Sequence, residues 1–182
     1  MSRIAPLDEL QMTPEQKSLS AAIAGPRSGL TRGPFPIWLK SPELLRRVND
    51  LALYFKDERA LPARLRELAI LVNARHWTSQ YQWHVHIQHA RRLGLDEAAL
   101  AAIAENRRPE FAYAAERAVY DYAHAMYEPG GISDEIYQAA IDAIGEPGVI
   151  ELVSLLGFYS LIAVSIKGFD VGLPEGTAPY LR

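Results

Sequence analysis

The chain has 182 residues, a formal charge of −3, 49% hydrophobic and 23% charged residues, 12 glycines, 12 prolines and no cysteine. This balance excludes a disordered chain and fits one soluble domain, while the missing cysteine excludes disulfides, thiolate metal sites, iron–sulfur ligation and cysteine nucleophiles. Mild acidity speaks against a nucleic-acid partner, no apolar run of the ~18 residues needed to span a membrane is expected, and the start MSRIAPLDELQMTPEQ lacks a secretory-signal pattern, so the expected location is the cytoplasm.

Apolar periodicity predicts helix nearly throughout, hence an all-α fold. Thr13 as N-cap, Pro14 at the first helical position and Gln16 completing a capping box open a helix that ends near Gly25. The stretch GPRSGLTRGPFPIWLK, from Gly25 to Lys40, holds three prolines and three glycines and is predicted to be irregular, with the length of a lid or an interface arm. Ser41-Pro42-Glu43 starts a helix to about Arg59, with Leu44, Leu45, Val48, Leu51, Ala52 and Phe55 on one face. Pro62 begins the next, carried by Leu65, Leu68, Ala69 and Val72 to about Trp77. Thr78 and Ser79 break the run and can cap a helix from Gln80 to Leu93, which Gly94 closes as the C′ residue.

Asp96 caps a short helix to about Glu105, Pro109 starts one through Tyr127, Ser133 opens another to Ile144, and Pro147 starts the last, through about Lys167. The run VIELVSLLGFYSLIAVSI in that last helix is apolar on most sides and suits a central or interface helix. The tail GFDVGLPEGTAPYLR reads as extended. With no internal linker or repeat, residues 1–182 are predicted to be a single domain: a helix and arm over 1–40, a helical core over 41–168 and a tail over 169–182.

Chemistry concentrates between Arg64 and Gly94. Glu67 stands on a helix otherwise rich in apolar residues and shares its face with Arg64, Leu71 and Ala74; a carboxylate there must be paired, ligand-bound or shifted in pKa. The plainer alternative is an Arg64–Glu67 pair within the helix. On the following helix Ser79, Gln82, His86 and His89 fall at spacings of three, four and three, one polar stripe from which His84 points away. A histidine facing a carboxylate on an adjacent helix makes a general acid/base pair, because the carboxylate fixes the tautomer of an imidazole. His84 and His86 diverge by about 200° and cannot readily share an ion on an unbroken helix; His86, His89 and Glu67 compose a two-histidine, one-carboxylate set that stays as a minor alternative to the expectation of no metal. Trp77, Tyr81 and Trp83 either wall an apolar cavity or belong to the core. Arg91-Arg92 and Arg107-Arg108 read as solvated faces.

The segments RELAILVNARHWTSQYQWHVHIQHARRLGL, ELVSLLGFYSLIAVSIKGFDVGLPEG and RGPFPIWLKSPELLRR resemble the carboxymuconolactone decarboxylase family, which includes the alkylhydroperoxidase D-like proteins; the match is to its longer members and covers most of the chain. The resemblance implies an all-α bundle of about seven to eight helices, with an extended N-terminal arm and C-terminal tail, that assembles into trimers or hexamers. In the peroxidase branch a glutamate is followed twelve residues later by C-x-x-C and then, four residues beyond the second cysteine, by a histidine. Those positions are Glu67, Ser79, Gln82 and His86 here, so both thiols are absent and thiol-dependent peroxide reduction has no nucleophile.

The decarboxylase branch also lacks the cysteine pair and keeps a histidine corresponding to His86. The implied activity is a cofactor-free acid/base lyase acting on a small carboxylated or lactone-type product of aromatic breakdown. In that reading His86 is the acid/base and Glu67 its partner, with Arg64, Ser79, Tyr81, Gln82, Trp83 and His89 contacting substrate and Phe35 and Trp38 shaping or covering the pocket. The rival readings are a non-catalytic oligomeric scaffold that binds small molecules, and residual peroxidase or isomerase activity.

Overall fold

The protein is described by a computed structural model that covers all residues except 1, 6, 28–32, 58 and 59, and leaves the side chains of 24–27 undescribed. All regular structure among the described residues is helical. A 3-10 turn, Glu9–Gln11, precedes α1 (Pro14–Arg27), α2 (Phe35–Trp38), α3 (Pro42–Tyr54), α4 (Ala63–His76), α5 (Gln80–Arg92), α6 (Glu97–Ala104), α7 (Ala114–Ala125) and α8 (Asp134–Phe169). The chain forms two compact units, Met1–Asp57 with Ser165–Gly172, and Glu58–Val164 with Leu173–Arg182.

In the first unit the predicted capping box forms: Thr13 N–H donates to Gln16 Oε1 at 2.9 Å and Gln16 N–H to Thr13 Oγ1 at 3.2 Å. α1 continues past Gly25 to Arg27, since Pro26 lies in its last turn, where a missing N–H forfeits a single hydrogen bond. The Gly25–Lys40 stretch is not wholly irregular, because Pro34 and Pro36 occupy the cap and first turn of α2, where proline needs no N–H partner. Ile37, Trp38 and Leu39 are buried there. α3 packs against α1 and α2. It ends at Tyr54 rather than near Arg59, a position outside the described residues, and its buried face is narrower than predicted: Leu45, Val48, Ala52 and Phe55 are buried while Leu44 and Leu51 are exposed.

The second unit is built around α4, which packs against α5 and α7 and touches α6. Leu65, Leu68, Ala69, Ile70, Leu71, Val72 and Ala74 are all buried, because neighbouring helices cover several faces of α4. α4 and α5 are joined by a Schellman turn. Thr78 sits at φ 49°, its N–H bonds to Arg75 O at 3.0 Å, and Ser79 N–H reaches back to Ala74 O at 2.8 Å. The same device closes α5 at Gly94 (φ 77°), as predicted, and α6 at Asn106 (φ 57°). Asp96 caps α6 by accepting from Ala99 N–H at 3.0 Å.

α7 starts at Ala114, later than Pro109, because 109–113 take a non-helical path in which Pro109 is buried and Phe111 packs on Tyr120 at 5.5 Å. α8 breaks at Gly145 (φ 70°, ψ 167°), where the two predicted helices meet ahead of Pro147. Beyond the break Leu152, Leu155, Leu156, Phe158 and Ala163 are buried, whereas Ile150, Val153, Leu161 and Val164 are exposed. The expectation of no membrane-length apolar run is corrected here: by length and composition an 18-residue window of α8 is sufficient, and 39% of it is buried inside the protein. The tail is extended and pinned by Gln80, whose Oε1 accepts from Tyr180 N–H at 2.8 Å and Leu181 N–H at 3.1 Å.

Candidate functional site

The α4–α5 hairpin brings Glu67 and His86 together. His86 Nδ1 lies 2.7 Å from Glu67 Oε2, and both side chains are largely shielded, at 14% and 7% exposure. Burial pushes the Glu67 carboxyl up, but the charge and hydrogen bond of His86, with smaller help from His89 and Arg66, outweigh it and hold the pKa below the usual glutamate value. An ionised Glu67 accepts from Nδ1–H of His86 and turns Nε2 away as the reactive nitrogen. The Tyr159 ring from α8 meets the imidazole edge-on at 5.0 Å, and the His89 ring is 5.8 Å away. Burial lowers the pKa of His89, against the pull of Glu67, so this imidazole favours the neutral form.

One turn back on α5, Gln82 and Ser79 are buried. Asn73 on α4 donates through Nδ2 to Leu156 O at 3.3 Å, Ser160 Oγ at 2.8 Å and the Tyr127 hydroxyl. That fixes Asn73 Oδ1 as the acceptor for Gln82 Nε2, at 3.0 Å, and leaves Gln82 Oε1 buried without a partner. Ser79 Oγ is also buried and unpartnered, because Ser79 caps α5 by backbone position without a side-chain bond. Two oxygens on the stripe that carries His86 thus lack hydrogen bonds, an arrangement that costs free energy unless something supplies them.

The other predicted contacts divide. Arg64 does not pair with Glu67: it bonds Glu116 on α7 and donates to Leu93 O at 3.0 Å and Gly94 O at 2.6 Å. Its guanidinium is committed to holding the α5 terminus. Trp83 is a core residue at 2% exposure, and Tyr81 is half-buried on α5. His84 diverges from the stripe, as predicted, and meets the Tyr180 hydroxyl at 2.9 Å. Phe35 and Trp38 pack edge-on at 5.3 Å within the first unit. Among the described residues no group of three His, Asp or Glu side chains is arranged to hold a metal ion.

The sequence profile of the carboxymuconolactone decarboxylase family matches residues 42–125, the segment that holds the α4–α5 hairpin and both members of the pair. Over this segment, a little under half of its length, the chain is similar to this family. No curated protein matches the sequence. Among solved structures, a cysteine-to-alanine variant of the debrominase Bmp8 in complex with 2,3,4-tribromopyrrole superposes with a TM-score of 0.75 at 17% identity, over 96% of this chain and 95% of that one. The apo debrominase gives 0.73 at 17% identity, over 93% and 91%. A protein of unknown function from Agrobacterium tumefaciens, suggested to be the antioxidant-defence protein AhpD, gives 0.68 at 18% identity, over 76% and 95%. These likenesses establish the fold shared by carboxymuconolactone decarboxylase and AhpD-like proteins.

The positions at which the resemblance puts the peroxidase branch's cysteines are Ser79 and Gln82, each with a buried oxygen that has no hydrogen-bond partner. Sequence reasoning missed Tyr159, Asn73, Tyr127 and Ser160. Asn73 alone left a signal, a single amide inside the apolar run AILVNA, since an uncharged polar residue there requires buried partners. Tyr159 and Ser160 reach the hairpin from α8 and leave no local trace.

Proposed function

We propose that this protein is a cofactor-free acid/base lyase that decarboxylates a small, unsaturated carboxylated or lactone-type intermediate of aromatic-compound breakdown. The observation that carries the reading is the shielded 2.7 Å contact between His86 Nδ1 and Glu67. It leaves Nε2 to take up a solvent proton and, as Nε2–H of the imidazolium, to donate it, with a carboxylate behind to stabilise that cation. Heterolysis of the bond to the carboxylate releases carbon dioxide, and the electron pair spreads into the conjugated carbonyl of the substrate. Nε2–H of the imidazolium then protonates the dienolate, and a solvent proton restores it. The electron sink belongs to the substrate, so the scheme calls for no cofactor. Gln82 Oε1 and Ser79 Oγ are free to take hydrogen bonds from a substrate hydroxyl or N–H, and the Ser79 hydroxyl can donate to the carbonyl. Arg64, held by Glu116, has no part in it. We further propose that the exposed apolar stripe of α8 is covered by a second copy of this chain.

The test is carbon dioxide release from a panel of carboxylated unsaturated lactones. Wild type is expected to turn over at least one, and His86→Ala and Glu67→Gln to lower kcat by about 10²–10⁴, the range for a lost acid/base group. Helical circular dichroism should be unchanged. Turnover in His86→Ala equal to wild type would sink the assignment. Binding of panel members without turnover would instead favour a ligand-binding scaffold, for which the locking of Gln82 into the Asn73 network is the supporting observation.

A further inference from the structure

We infer that Tyr180, Leu181 and Arg182 are the bound occupant of a peptide-binding clasp on the α4–α5 hairpin, a strap that holds the turn at Thr78 and opens without the rest of the fold. The clasp lies within one compact unit, because Leu173–Arg182 cluster with Glu58–Val164. It uses neither Glu67 nor His86 and is independent of the reaction proposed above.

The turn needs holding. Thr78 is a β-branched residue at φ 49°, a conformation that persists only where its surroundings fix it. The clasp grips both sides of it. In the last turn of α4, Arg75 Nη2 donates to an Arg182 oxygen at 3.0 Å. At the start of α5, Gln80 gives its whole carboxamide to the tail: Oε1 accepts from Tyr180 N–H at 2.8 Å and Leu181 N–H at 3.1 Å, and Nε2 donates to Leu181 O. Two N–H donors on one oxygen settle which end of the amide is which. One turn further along α5, His84 Nδ1 meets the Tyr180 hydroxyl at 2.9 Å.

These contacts read a peptide as recognition sites do, with main-chain hydrogen bonds for affinity and side-chain seats for specificity. One seat takes the phenol against His84, and the other takes Leu181, which is 4% exposed. Pro179 disfavours helix at Ala178 and lowers the cost of ordering the segment. The ligand class is therefore an extended peptide with a phenol followed by a branched apolar side chain. The strap is detachable because little else ties it down: of residues 173–182 only Leu181 is buried, and 174–179 are exposed apart from half-buried Thr177. A segment with one buried side chain belongs to the low-stability end of a fold and opens locally. While intact, the tethered strap has a high effective concentration at the clasp, so a free copy of it competes poorly.

Fluorescence polarisation of a peptide with the sequence of residues 173–182, labelled at its Leu173 end, tests the clasp on the full chain. Leu181→Ser weakens the chain's own strap, so this variant should bind the peptide saturably and at least tenfold more tightly than wild type. Adding Gln80→Leu should abolish that binding, and a peptide carrying Leu181→Ser should not bind. The Thr78 and Ser79 amides should exchange with solvent at least tenfold faster in the Leu181→Ser chain, and the wild-type peptide should restore their protection. No saturable binding by Leu181→Ser, equal binding by wild type, binding that survives Gln80→Leu, or unchanged exchange at Thr78 and Ser79 would each overturn the proposal. Should the variants fail to fold, amide exchange of the wild type in low urea decides it. The Tyr180 and Leu181 amides should exchange more slowly than in the free peptide, through an opening that urea does not promote; exchange as fast as in the free peptide, or only with global unfolding, refutes the strap. No readout requires turnover, so failure here is distinct from failure of the lyase reading.

Discussion

Glu67 stays ionised in the interior because its partner is itself ionisable, and this gives the protein a pH signature. Its folded-state pKa lies below the ordinary glutamate value, burial being outweighed by His86. Between the two values the unfolded chain binds more protons than the folded one. The pair's contribution to stability is therefore complete above the unfolded value, about 4.3, and is lost as pH falls through the folded value. Glu67→Gln is expected to be less stable than wild type at neutral pH by about 1.5–3 kcal/mol, the range for a hydrogen bond to a charged group. The gap should narrow on acidification, as urea titrations over a pH series would record. A gap that stays constant down to about pH 3 would remove the ion-pair description. The pair itself was legible, because a twelve-residue step from Glu67 to Ser79 and the three-and-four spacing to His86 fix relative positions on two consecutive helices. Arg64 was not legible. Its partner Glu116 is 52 residues away, and helical spacing favours the nearer Glu67 that the structure does not use.

At the scale of the element, turn chemistry decided what could be read. Gly94 announces a left-handed C′ residue and Asn106 is a common alternative, but Thr78 adopts the same conformation with a β-branched side chain that seldom does, so the break between α4 and α5 was legible while the geometry of its turn was not. The one-turn α2 is hidden for the opposite reason, inside a stretch whose prolines read as breakers but sit at its cap and first turn. The break in α8 was readable from Gly145 and Pro147, and it makes two glycines of one helix respond oppositely. A Cβ on Gly148 would stand 2.9 Å from the Cβ of Ile144, an atom too close to the backbone to swing aside. Gly148→Ala is expected to destabilise by about 1–3 kcal/mol, as overpacking does. At Gly168 a Cβ meets nothing within 4 Å, so Gly168→Ala should be neutral or stabilise by up to about 1 kcal/mol through helix propensity. Chemical denaturation of both variants checks the contrast. Equal effects would mean that the helix shifts to relieve the Ile144 contact.

For the whole molecule, helical periodicity and the motif spacing were enough for the fold class and the family resemblance, since both rest on local sequence. Long-range packing was not legible, and α8 shows why: a run apolar on most sides says that several faces are covered without saying by what. Within the protein, Leu152, Leu155, Leu156 and Phe158 are covered. Ile150, Val153, Leu161 and Val164 are not, and with exposed Gly157 they recur at steps of three, four, four and three along one uncharged face. At 1.5 Å per residue the stripe is about 21 Å long, more than scattered surface apolar residues explain. An uncharged face with a glycine at its centre suits close approach of the same face from a second copy, in a self-complementary contact. Wild type is then expected to give an oligomeric mass by light scattering, and the double variant Ile150→Glu with Leu161→Glu a monomeric one. Two carboxylates would be buried at each contact, and the helical circular dichroism should be retained because both side chains point outward. A monomeric wild type at micromolar concentration, or a double variant with unchanged mass, would show that this stripe is not the contact between copies.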